Sequence, residues 1–70
     1  MNNELTIIEN DIIAGLENIC EFITKIETVE TSDSIERSCI EGMLFVARNE
    51  KFSLEHYLRM IKMLKELAEW

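Results

Sequence analysis

Apolar residues recur along this chain at three- and four-residue steps, and three stretches sustain the pattern over enough turns to predict helices. In the first, about residues 4–27, Leu5, Ile8, Ile12, Gly15, Leu16, Ile19, Phe22, Ile23 and Ile26 fall on one face. Steps of seven from Leu5 give Ile12, Ile19 and Ile26, and steps of seven from Ile8 give Gly15 and Phe22. That is a heptad seam, and Leu5, Ile8, Ile12, Ile19, Phe22 and Ile26 are the residues expected to carry self-association along it. Glu9 alone among the charged residues encroaches on the stripe. Asn2 or Asn3 stands where an N-cap belongs. At about 1.5 Å per residue the helix is on the order of 36 Å long, more than a compact chain of this size needs.

Residues 28–34, TVETSDS, form the clearest break. Asp33 and Glu36 have the spacing of a capping box, with Ser32 or Ser34 as alternative caps. A second helix, about 34–48, follows with Ile35, Cys39, Ile40, Met43, Leu44, Val46 and Ala47 on a broad apolar arc. As the middle element it is expected to be the most buried. Gly42 inside it costs about 1 kcal/mol relative to alanine, which predicts close approach by a neighbouring helix; Gly15 reads the same way.

Between Arg48 and Ser53 two signals compete. Ser53 is a good cap, with Phe52 and Tyr57 at the positions of a hydrophobic staple, whereas RNEK contains no helix breaker. A break is favoured over one continuous helix from 34 to 69. The third helix then covers about 54–69, where Leu54, Tyr57, Leu58, Met60, Ile61, Leu64, Leu67 and Ala68 fill roughly half the circumference. One neighbour cannot cover a stripe that wide. The expected fold is therefore all-α, a single domain forming a small helical hairpin or three-helix bundle that dimerises into a larger helical bundle.

Size strengthens the dimer expectation. For 70 residues, apolar burial contributes about 110 kcal/mol and ordering the chain costs about 105 kcal/mol, so a solitary copy is marginal. The two cysteines, Cys20 and Cys39, lie on or beside the apolar stripes and are expected to be buried, reduced thiols. The polar, acidic opening MNNELTIIEN does not resemble a secretory leader, and apolar runs of at most five residues are too short to span a membrane. A cytoplasmic location follows as an expectation.

Charge is unevenly placed. Residues 1–47 hold ten acids against Lys25 and Arg37, while residues 48–70 hold four acids against five bases, within a net charge of −7. Phosphate-backbone affinity comes from lysine and arginine, so direct nucleic-acid binding by the first half is disfavoured. A weak helix-turn-helix reader built on residues 48–65, with Arg59, Lys62 and Lys65 on its third helix, remains an alternative, diluted by Glu55, Glu66 and Glu69. A second alternative is an acidic mimic of nucleic acid, with Glu9, Asp11, Glu17 and Glu21, extended by Glu27 and Glu30, as its ridge.

Catalytic chemistry has little to stand on. His56 is the single histidine, at the polar edge of the third helix, and no serine or cysteine is placed beside it by local spacing. Two cysteines with 18 residues between them make no zinc motif. Glu17 and Glu21 lack a Glu-x-x-His partner, and there is no glycine-rich phosphate loop. No metal or cofactor is expected. Large apolar residues off the stripes are more informative: Ile7 and Ala14 on the first helix, and Phe45, Met63 and Trp70 as a possible partner patch. These features point to a non-catalytic interaction or regulatory module acting as a homodimer with a protein partner. Its size and simplicity are those of accessory factors from compact phage or plasmid genomes.

Overall fold

The computed structural model describes residues 3–69. It contains two helices, α1 (Asn3–Glu27) and α2 (Ser34–Ala68), and no strand among the described residues. Glu9 pairs with Lys65 and Glu27 with Arg48, so numbers fall along α2 as they rise along α1, and the helices run antiparallel. The result is a rod of 56 × 14 × 12 Å. Its radius of gyration is 16.4 Å, against about 11 Å for a compact chain of this length. Of the two architectures expected, the chain adopts the hairpin.

The expected break between Arg48 and Ser53 does not occur, because residues 34–68 form one helix of 35 residues. The reason lies in the phase of the apolar pattern. Ile40, Leu44, Ala47, Lys51, Leu54, Leu58, Ile61 and Lys65 are spaced alternately by four and three, and each is buried or half-buried. The repeat passes through 48–53 without losing a step, and Lys51 holds its place by laying an aliphatic stem along the contact. Ser53 and Phe52 are both exposed within this helix, so neither the cap nor the staple forms there.

The connection is fixed by polar groups. Asp33 caps α2, its Oδ1 accepting from the backbone N–H groups of Ile35 and Glu36 at 2.9 Å each. Glu36 does not return the bond directly as a capping box would. Instead the Asp33 N–H donates to Thr31 Oγ1 at 3.1 Å, and that hydroxyl donates to Glu36 Oε1 at 2.8 Å. Thr31 thus relays the reciprocal arm, and its carbonyl also accepts from Arg37 at 2.7 Å. At the other end of the turn, the Lys25 carbonyl at the end of α1 accepts both the Thr28 hydroxyl at 2.7 Å and the Thr28 N–H at 3.3 Å. Asn2, one of the two proposed caps of α1, lies outside the described residues, and Asn3 is the first residue of the helix.

The core is thin. Ile19, Ile23, Ile26, Ala47 and Ile61 are its buried residues, with Leu44 and Leu54 packed against the central cluster. Ala47, 3% exposed, is the small residue that lets Ile19 and Ile23 approach. Residues 34–48, expected to be the most buried, are mostly open: Ile35 is 75% exposed because α1 has ended before its level is reached. The close approach expected at Gly42 is absent too, since a Cβ there would meet nothing within 4 Å. Gly15 does face a neighbour, with Leu54 Cδ1 3.6 Å from an ideal Cβ. Both cysteines are free and exposed rather than buried. Two helices have one line of mutual contact, which lies too far from Cys20 and Cys39 to cover them.

The Thr31 relay generates the first prediction. Asp33→Ala should lower stability by about 1 kcal/mol, and Thr31→Val by a similar amount, through loss of the cap and of its support. Urea unfolding followed by circular dichroism measures both. Because the two residues share one network, the double variant should cost less than the sum of the singles.

Candidate functional site

What the hairpin leaves uncovered is decided by what the inter-helix seam uses. On α1 the residues turned to α2 are Leu5, Glu9, Ile12, Leu16, Ile19, Ile23 and Ile26, spaced alternately by four and three and all buried or half-buried. Leu5, Ile12, Ile19 and Ile26, four of the six positions expected to join two copies, thus face their own α2. Ile8 and Phe22, the other two, stay 47% and 45% exposed. The structure splits the predicted seam because Glu9, Leu16 and Ile23 complete the heptad that α2 occupies.

Ile8 and Phe22 do not stand alone. On α2 a second series runs one residue before the first: Cys39, Met43, Val46, Glu50, Ser53, Tyr57, Met60, Leu64 and Leu67. It has the same alternation of four and three, and all nine residues are exposed. Both leftover series lie on one side of the rod, where Phe22 lines an open groove with Gly42, Met43, Val46 and Glu50 over Ile19 and Ala47. The opposite side is polar. There Cys20, Thr24, Glu27, Arg48, Lys51 and Glu55, with the edge of Phe52, surround a second depression floored by Ile23, crossed by the 2.9 Å Arg48–Glu27 bond. The hairpin as a whole is therefore amphipathic, with one face lined by unpaired apolar side chains.

A third surface lies along the outer side of α2. Phe45 and Met63 of the expected partner patch are 68% and 60% exposed, and Phe52 between them is 66% exposed. Phe52 is seven residues after Phe45 and eleven before Met63, so the three share one side of the helix. Phe52 was hidden from sequence reasoning by its role in the supposed staple; once the helix is continuous, the seven-residue step from Phe45 is the signal for it. Trp70, the remaining member of that patch, lies outside the described residues.

The acids do not assemble into a ridge. Glu9 faces α2, its side chain 15% exposed, and accepts from Lys65 Nζ at 2.7 Å. Glu27 is bound by Arg48, and Glu21 stands 3.7 Å from Lys25. Asp11 and Glu17, six residues apart, project to different sides of α1. The turn on which a helix-turn-helix comparison depends is helical. His56 is exposed on the outer side of α2 between Phe52 and Arg59, with no polar side chain hydrogen-bonded to it. Among the described residues no three His, Cys, Asp or Glu side chains are grouped to hold a metal, and no helix is long and apolar enough to cross a membrane.

With the geometry described, comparison with known proteins adds no relative: the chain matches no family model, and no curated protein or solved structure is significantly similar to it.

The Glu9–Lys65 pair occupies seam positions and pins the register of the hairpin, which supplies a second prediction. Glu9→Ala leaves a half-buried ammonium without its acceptor and should cost about 1–2 kcal/mol. Replacing both residues by leucine should restore stability or exceed it. Denaturant midpoints for the single and double variants make the comparison.

Proposed function

We propose that this chain is a non-catalytic protein–protein interaction module, an accessory or regulatory factor of the kind compact phage or plasmid genomes encode, acting in the cytoplasm. The observation that carries the reading is the outer ridge of α2. Phe45, Phe52 and Met63 expose large side chains in line on a helix already anchored along its inner side by the hairpin contact. Exposed aromatics and methionine on a rigid helix are the material of interface anchors: they bring large apolar area at small cost in conformational entropy. Their spacing suits a partner that offers an apolar groove to one side of a helix. Arg59, within the same stretch, adds a basic group at the margin.

Nucleic-acid mimicry draws less support, since Glu9 and Glu27 are engaged by Lys65 and Arg48 and would have to leave those bonds to meet a basic groove.

The ridge makes the third prediction. Phe45→Ser with Phe52→Ser should leave helical content and thermal unfolding nearly unchanged, because both side chains are exposed in the hairpin. Capture from the native host should retain a protein on the wild-type chain and lose it on the variant. Once that protein is purified, truncation of each anchor should weaken binding roughly thirtyfold or more. Identical sets of captured proteins for wild type and variant would overturn the assignment.

A further inference from the structure

We infer that the apolar face formed by Ile8, Phe22, Val46, Met60 and Leu64 seats a second copy of this chain, running antiparallel, about a two-fold axis at the level of Gly15 and Ser53. The first support is area. The hairpin exposes 5597 Å², where a compact chain of its mass exposes about 4,500 Å², and the excess of about 1,100 Å² per copy matches a stable dimer contact of about 800 Å² or more per partner.

The second support is the symmetry of the face. A Cβ on Gly15 would lie 3.6 Å from Leu54 Cδ1, so Gly15 and Ser53 stand at nearly the same height on the rod. Ile8 and Phe22 lie seven residues either side of Gly15, and Val46 and Met60 lie seven residues either side of Ser53. A two-fold axis across the helices at this height turns the face onto itself. It sets Ile8 against the partner's Phe22 and Val46 against the partner's Met60, with small residues where the copies cross. Glu50 then lies opposite the partner's Tyr57, whose hydroxyl is a donor for the carboxylate. A surface that is its own complement is what an isologous interface requires.

Charge selects the direction. The loop end, residues 21–41, holds six acids against Lys25 and Arg37. A parallel pair would place two such ends side by side, and the antiparallel pair holds them at opposite ends of the bundle. The open groove beside Gly42 then has an occupant, which accounts for a glycine that costs helix stability and meets nothing within one copy. The product is a four-helix bundle made of two hairpins.

Sedimentation equilibrium of the full chain at micromolar to tens of micromolar concentration should give twice the 8.2 kDa chain mass. Val46→Glu with Met60→Glu should return it to the single-chain mass, whereas Phe45→Ser with Phe52→Ser should leave the dimer intact, so failure of the ridge assignment and failure of this one are distinguishable. Orientation is tested with Cys20→Ser and Cys39→Ser as background. Ser53→Cys should form an inter-chain disulfide on mild oxidation, because helix axes about 8–10 Å apart bring facing Cα atoms within disulfide reach. Met43→Cys should not, since its two copies stand about 30 Å apart in this arrangement. A strictly single-chain mass overturns the inference, as does a dimer that Ser53→Cys does not cross-link or Met43→Cys does.

Discussion

A helix can be covered by one neighbour along only one line, and a protein of two helices has only one such line. Every feature of this molecule follows from how that contact is assigned. Alternating steps of four and three on both helices place Ile19, Ile23 and Ala47 in the buried cluster of the contact, on its loop side, and Leu5 and Lys65 toward its open end. The pattern is faithful over the full length of α1, which is why a rod only 14 × 12 Å in cross-section holds a defined register. Its cost is a small core, since no third element shields the sides of either helix.

With so little burial, polar contacts carry much of the specificity. Glu9 and Lys65 sit where apolar residues would pack better, and in exchange they oppose sliding of one helix along the other, as a polar seam position does in coiled coils. Arg48 and Glu27, half-exposed beside the seam rather than in it, add a weaker cross-helix bond near the loop. The Thr31 relay fixes where α2 begins, and so which residues of the long helix come level with α1. Slippage by one heptad would keep many apolar contacts but would break these bonds together, and this separates the observed hairpin from its neighbours in register.

Most of the architecture was legible in the residues. The limits of α1, the Asp33 cap and the seam through Leu5, Ile12, Ile19 and Ile26 all follow from periodicity and cap chemistry. The continuity of α2 is obscured by cap chemistry: Ser53, with Phe52 and Tyr57 at staple positions, looks like a helix start, although the stem of Lys51 carries the seam repeat through. A staple role for Phe52 in turn hides it as the middle of the outer ridge. The cysteines were misplaced for a related reason. A stripe half a circumference wide does not imply burial when only one neighbour exists, and a wheel reports the width of a stripe without the number of helices available to cover it.

The apolar positions of α2 form two series offset by one residue, and the hairpin engages only the first. A chain that needed one contact would have no use for the second series, and exposed apolar surface on this scale invites unspecific association. Its residues keep the four-three alternation from Cys39 to Leu67, and the leftover positions of α1 share its face. Regular spacing on both helices, with Gly15 and Ser53 near a common level, is the ground on which a contact between copies is proposed for this face. Covering this face leaves Phe45, Phe52 and Met63 outside, on the opposite margin of α2. One side of α2 thus holds its own hairpin, and the other two are proposed to seat a second copy and to present anchors to another protein.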